Sequence, residues 1–223
     1  PRCGSTLVES ILSLNNTVKD LGEVNIFEES YREYKLSEKL KSLSEIYWKK
    51  LEITDNETIT TNKWLFNYQY AGIIAKAIPN AKIIHCYRNP LDNILSTYRA
   101  HFAKGNNFSS SLIDSAEVYS DQDEIMRTYK KEFKNHIYSL NYDKLVTHPS
   151  GEIKSLIHWL GWSWNDLYLS PHLNKRKVST RSNVQVRSPI NTKSLGGWKN
   201  YKEMLKPAME IITKKEKYKD LKY

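Results

Sequence analysis

Cysteine is scarce in this chain, with Cys3 and Cys86 the two among 223 residues. Two thiols cannot build a disulfide framework, and neither stands in a CxxC or Cys/His spacing that would hold zinc. A reducing compartment such as the cytoplasm is the simplest setting, and no metal is expected. Long apolar runs are missing too: nothing approaches the ~18 residues of a membrane helix, so no membrane contact is expected. No repeat period marks a solenoid. Acidic residues vanish locally. From Leu167 to Lys202 there is none, against Lys175, Arg176, Lys177, Arg181, Arg187, Lys193, Lys199 and Lys202. The first residue is Pro1 rather than methionine, and the expectation is an absent upstream strand, with any targeting segment that went with it.

What is present suits a single domain over residues 1–223. Its 39% hydrophobic content is enough for one sizeable core, and the excess of 34 basic over 25 acidic residues, +9, attracts polyanions, nucleotides or acidic substrates without choosing among them. Along the chain, Val8, Ile11 and Leu12 mark a first helix, and Leu36, Leu40, Leu43 and Tyr47 a second helical stripe. Thr58 to Thr61 reads as a short β-branched strand. Tyr70, Ile73, Ile74, Ala77 and Ile78 form a helix closed by Pro79, then Ala81 to Tyr87 a buried strand. Lys104 to Asp123 is polar and expected to be mobile. A helix over Ile125 to Phe133, a strand over Ile137 to Tyr142 and a helix over Ile153 to Leu160, ended by Gly161, complete the pattern. Such alternation predicts an α/β fold with a central parallel β-sheet flanked by helices in three layers.

Two segments have the chemistry of anion sites. In Pro1-Arg2-Cys3-Gly4-Ser5-Thr6-Leu7 the glycine permits a tight turn, and the amides from Gly4 to Leu7 point out of a first helical turn, where the macrodipole favours negative charge. Arg2 adds a fixed guanidinium, and Ser5 and Thr6 add hydroxyls. A Walker A loop would end in Gly-Lys-Ser/Thr; this one does not. The same residues also suit a plain surface turn capping an amphipathic helix. The second segment follows the Ala81 strand. Arg88 stands at its end, Asn89-Pro90 starts a helix as cap and first-turn proline, and Ser96 falls on that helix's polar face. Arg88 and Ser96 could share a ligand in the crevice at a strand's carboxyl end, or Arg88 could sit in a surface ion pair. Two such sites suggest a doubly charged nucleotide. From Pro171 to Leu195 no helical period is visible, and residues 171–202 read as a basic lid over that nucleotide. Basic residues among Tyr and Trp also suit nucleic acid, but no stacking platform or groove-reading helix is evident, and no nucleic-acid partner is expected.

These residues together resemble the sulfotransferases that use 3′-phosphoadenosine 5′-phosphosulfate (PAPS), in their tyrosylprotein-type branch with its bacterial relatives. The opening Pro-Arg-Cys-Gly-Ser-Thr-Leu resembles the family's 5′-phosphosulfate loop, and Arg88 with Ser96 its 3′-phosphate site. Further blocks follow in the family's order: Thr61-Asn62-Lys63 with Asn67-Tyr68, Pro79 to His85, Tyr142 to Val146, and Gln185 to Ile190 through Trp198. The resemblance implies a P-loop-type fold and in-line transfer of a sulfuryl group from PAPS to an acceptor hydroxyl, leaving 3′-phosphoadenosine 5′-phosphate (PAP), without a metal. It implies that Arg2, Lys63 and Ser182 neutralise charge near the transferred group, and that Glu23 takes the acceptor's proton. Arg2, Cys3, Gly4, Ser5, Thr6, Arg88, Ser96, Tyr142, Ser182, Gln185 and Arg187 would contact the nucleotide. Two departures stand out: Cys3 where serine is commoner, and Gly197 where a basic residue usually precedes the tryptophan, with Lys193 or Lys199 as substitutes.

Residue type alone does not single out Glu23 from Glu28 or Glu29. His85 is an alternative base, although a mid-strand position fits a core histidine better. The acceptor, a peptide tyrosine, carbohydrate or small metabolite, would be met by Asn25 to Tyr34 and Lys104 to Asp123, loops with no distinctive chemistry. The alternative to an enzyme is a catalytically inactive nucleotide- or polyanion-binding module.

Overall fold

The computed structural model describes residues 1–37, 40–53, 58–100, 102, 105–175 and 186–221. Gly4, in the left-handed region at φ 87°, turns the chain into helix α1 (Ser5–Leu12). Strand β1 (Val18–Asp20), helices α2 (Ile26–Leu36) and α3 (Leu43–Leu51), and strand β2 (Ile59–Thr61) follow. A short 3-10 turn over Asn67–Tyr70 leads to α4 (Ala71–Ala77), then β3 (Ile83–Tyr87) and α5 (Pro90–Tyr98). Asn89 caps α5 by accepting from the amides of Leu91 and Asp92, with Pro90 in the first turn. The long α6 (Leu112–Glu132), β4 (Ile137–Asn141), α7 (Tyr142–Thr147), α8 (Pro149–Leu160) and α9 (Lys202–Ile212) complete the described strands and α-helices.

The strands pair in parallel, β1 with β2 and β3 with β4. Among the described residues, the expected central sheet is seen as two two-stranded parallel pairs. Register is what matters for function. Asp20 lies opposite Thr61, so Glu23 and Lys63 leave their strands side by side; Tyr87 lies opposite Asn141, so Arg88 and Tyr142 do the same. All four emerge at carboxyl ends, where α/β folds gather their ligands.

Two apolar clusters hold these ends in place. Ile11 of α1 packs with Leu140, Leu145, Ile153, Leu156 and Ile157. Leu91 and Ile94 of α5 pack with Leu205, Met209 and Ile212 of α9, beneath Ala116 and Trp198. Each fully buried aliphatic side chain contributes about 1.5–3 kcal/mol relative to exposure, so α1 and α5, which carry the candidate anion-binding residues, rest on well-buried parts of the described structure.

Two expectations need correction. Much of the segment from Lys104 to Asp123 is helical, not mobile polar chain: Ser111 caps α6 by accepting from the Asp114 amide, and Ala116, Tyr119 and Met126 are buried along it. The stripe from Leu36 to Tyr47 is not one helix. It breaks before a capping box in which Ser42 and Glu45 satisfy each other's amides, leaving Leu36 and Leu40 at 80% and 86% exposure. Of the basic stretch 171–202, residues 176–185 lie outside the described residues, and with them Ser182 and Gln185. Its later part is docked: Gly196 and Trp198 donate their amides to the two oxygens of Asp92, at 2.7 and 3.0 Å.

Candidate active site

The candidate anion loop runs from Pro1 into the first turn of α1. No side chain caps the N-terminus of α1, and its first turn carries no acidic residue, so its field is open to an external anion. Gly4 is needed twice over: its φ is positive, and a Cβ there would meet Cδ2 of Tyr142 at 2.2 Å. Arg2 is also left-handed, at φ 59°, a conformation that costs an L-residue roughly 1–2 kcal/mol. The strained backbone aims its guanidinium across to α5, where Nε donates to Ser96 Oγ at 3.0 Å. Burial, and then the neighbouring Arg88, lower the Arg2 pKa. The two candidate anion sites read separately in the sequence are thus joined through Arg2 and Ser96.

Arg88 is a buried cation, 6% exposed. Its guanidinium lies 4.8 Å from the centre of the Tyr142 ring and donates to the Ser194 carbonyl at 2.6 Å. Asp92 and Asp143 stand 3.7 and 3.8 Å away. The Nε of Arg88 has no hydrogen-bond partner among the described residues. Tyr142 is itself held by a 2.8 Å hydrogen bond between its hydroxyl and Ser194 Oγ. Burial raises the Asp143 carboxyl above the usual carboxylate range, against the Asn89 amide and Arg88, which lower it.

At the ends of β1 and β2, Lys63 Nζ donates to Glu23 Oε1 at 2.9 Å and lies 3.8 Å from Glu9 Oε2. The Lys63 side chain is 10% exposed and that of Glu23 44%. The backbone closes the same corner, with the Lys63 amide donating to the Gly22 carbonyl at 2.9 Å. A cation and a carboxylate, both reachable from solvent, therefore face each other. That arrangement suits charge neutralisation beside proton abstraction.

Residues 26–166 match the family model described as "Sulfotransferase family". The chain belongs to the sulfotransferase family. It is 31% identical over 236 residues to an uncharacterized protein of Aquifex aeolicus (strain VF5), covering 95% of this chain and 31% of that protein. It is 27% identical over 145 residues to protein-tyrosine sulfotransferase 1 of Danio rerio, covering 61% and 41%. The chain thus spans between about a third and two fifths of the length of these curated relatives. In fold it is similar to the sulfotransferase domain of the Synechococcus PCC 7002 olefin synthase, with a TM-score of 0.70 at 14% identity over 89% of this chain and 84% of the other. A second similar structure is the sulfotransferase domain from the curacin biosynthetic pathway, with a TM-score of 0.59 at 15% identity over 100% and 89%. The α/β, P-loop-type class is that of these domains.

In this sulfotransferase-family domain, Arg2, Cys3, Gly4, Ser5 and Thr6 lead into and begin α1, Tyr142 packs against Gly4 and Arg88, Ser96 in the last turn of α5 meets Arg2, and Glu23 and Lys63 form a separate pair. Arg187 is drawn elsewhere: it is exposed, and its Nη1 donates to the Asn174 carbonyl at 2.5 Å. Asn174 in turn donates to the Ser10 carbonyl and Ser13 Oγ on the far turn of α1. Gly197 needs no side chain where it lies, its neighbours being held by Asp92. His85 is a core histidine: burial first, then Lys130 and Lys217, hold its pKa down at about 3. Four contributors were not singled out in the sequence. Asp92, Asp143 and Ser194 fix Arg88, and Glu9 lies beneath Lys63. Asp92 and Arg88 stand one helical turn apart, a spacing that signals a pair; Glu9, Asp143 and Ser194 meet their partners only through long-range packing. No group of three or more metal-ligating side chains occurs among the described residues, and no described helix is long and apolar enough to cross a membrane.

Proposed function

We propose that this domain transfers a sulfuryl group from PAPS to a hydroxyl, by in-line displacement. The observation that carries the reading is the Arg2–Ser96 hydrogen bond, which makes the α1 loop and the Arg88 corner one continuous cationic cradle. The residues fit such a donor. The α1 amides and Arg2 would take the phosphosulfate end, while Ser96 and Arg88, whose Nε faces Asp143 Oδ1 at 3.8 Å without a hydrogen bond, would take the 3′-phosphate. The Tyr142 ring is part of the wall against which adenine would rest, and Ser182 and Gln185 would contribute from the basic segment 171–202 acting as a lid, joined by Arg187 once it leaves the Asn174 carbonyl.

Chemically, the acceptor oxygen forms a bond to sulfur as the bond from sulfur to the 5′-phosphate oxygen breaks. Glu23 accepts the proton of the attacking hydroxyl, and Lys63, Arg2 and Ser182 offset the charge growing on the leaving oxygen. Glu23 is the solvent-exposed partner of Lys63, at 44% against 10%, and a bound anion that draws Lys63 toward itself leaves Glu23 free to act. The acceptor is proposed to be a peptide tyrosine, a carbohydrate or a small metabolite reached from α2 and the start of α6. Radiolabelled sulfate supplied as PAPS to a panel of these acceptors tests the reading. Label in one acceptor class, lost in Lys63→Ala, is expected. Tight PAP binding without transfer to any acceptor would leave an inactive nucleotide-binding module instead.

A further inference from the structure

Glu9 is a carboxylate 3% exposed on the inner face of α1, the helix that presents the anion loop. Its Oε1 accepts from the Gly22 amide and from Thr61 Oγ1, each at 3.2 Å, and its Oε2 lies 3.8 Å from Lys63 Nζ. One side chain therefore touches the end of β1, the end of β2 and the lysine that follows β2. A buried charge is costly unless donors meet it, and here the donors come from the two segments that carry Glu23 and Lys63. An apolar residue of similar size at this point would fill the space without linking anything.

We infer that Glu9 is a positioning residue for the transfer reaction, fixing the Gly22–Glu23 turn and Lys63 relative to the anion loop. The inference rests on the function proposed above. Its basis is leverage: α1 carries the anion cradle at one end and Glu9 one turn further on, so the distance between bound donor, proton acceptor and lysine is set by a single rigid element. Misplacement of a reacting group by about 1 Å can lower a rate about 100-fold. The contacts of Glu9 to Gly22, Thr61 and Lys63 lie on the side of the proton acceptor, so its loss should change turnover more than nucleotide binding.

The test compares Glu9→Ala and Glu9→Gln with wild type by steady-state kinetics, PAP titration and crystallography of both variants with PAP. Glu9→Ala is expected to lower kcat about 100-fold with the KM for PAPS and the Kd for PAP within about threefold. Glu9→Gln, which keeps an acceptor for Gly22 and Thr61, should recover most of that loss. A merely structural role, loosening α1, would raise the PAP Kd in step with the fall in kcat and would overturn the inference. So would an Ala variant whose crystal structure keeps Glu23 and Lys63 at their wild-type positions. The crystallographic arm stands apart from turnover: should wild type transfer nothing, the proposed function fails, while a displaced Gly22–Glu23 turn in Glu9→Ala still supports the positioning role.

Discussion

Adding one methyl group at Gly4 should damage both fold and site, by an amount that follows from two separable terms. The first is conformational. An L-residue at φ 87° carries a left-handed cost of roughly 1–2 kcal/mol. The second is steric: the new Cβ would lie 2.2 Å from Tyr142 Cδ2, and overpacking of this kind costs about 1–3 kcal/mol. Tyr142 cannot simply swing away, because its hydroxyl is bonded to Ser194 and its face supports Arg88. Gly4→Ala is therefore expected to destabilise by about 2–5 kcal/mol in urea unfolding, a Tm fall between about 4 and 20 °C for a domain of this size. In a Tyr142→Ala background the steric term disappears and about 1–2 kcal/mol should remain, so a double-mutant cycle should return a coupling of about 1–3 kcal/mol. A Gly4→Ala protein within about 0.5 kcal/mol of wild type, in the range of a neutral surface change, would refute the close packing of the loop against Tyr142.

Other perturbations separate the remaining roles. Glu23→Gln should lower kcat by about 10²–10⁴-fold, the usual range for a general base, with PAP affinity in calorimetry unchanged; equal turnover removes Glu23 from that role. Ser96→Ala takes from Arg2 its acceptor on α5 and should weaken PAP by several-fold while leaving the melting temperature within a few degrees; unaltered affinity would separate Arg2 from the 3′-phosphate corner. His85 supplies a pH test. Its native pKa of about 3 lies below the unfolded value near 6.5, so below pH 6.5 the unfolded chain binds a proton that the native state refuses. Stability should fall as pH drops, by about 2 kcal/mol at pH 5 from this residue alone, and reach its full loss near pH 3. Urea midpoints of His85→Gln at pH 7.5 and 5 should show a smaller drop than wild type.

How far the sequence carries these conclusions depends on the range of the interactions involved. Gly4, Asn89-Pro90 and Gly161 act through backbone geometry within a few residues, and each ends or begins a helix where its chemistry says it should. The start of α6 was obscured because the run from Asp121 to Glu124 interrupts its apolar face; Asp123 is nevertheless inward enough to pair with Lys217. Tertiary pairing across 94 residues leaves no local trace. The site divides along the same line. Arg2, Arg88 and Ser96 were legible from anion chemistry and from resemblance, but their union into one cradle depends on an α1–α5 contact that periodicity does not encode. Glu9 reads as a polar residue on an ordinary helix until the folded chain brings Gly22, Thr61 and Lys63 around it. Separation of the strands into two pairs likewise reflects hydrogen bonding between distant segments rather than β propensity within them.

The central claim is that one joined cradle holds an adenosine by two anions at once. Calorimetric titration of wild type with PAP beside adenosine 5′-monophosphate tests it most directly, because the ligands differ only in the 3′-phosphate. Charge-assisted hydrogen bonds from Arg88 and Ser96, at about 1.5–3 kcal/mol each, predict PAP binding at least about tenfold tighter, with the advantage shrinking as salt rises. Equal affinity for the two nucleotides would contradict the account.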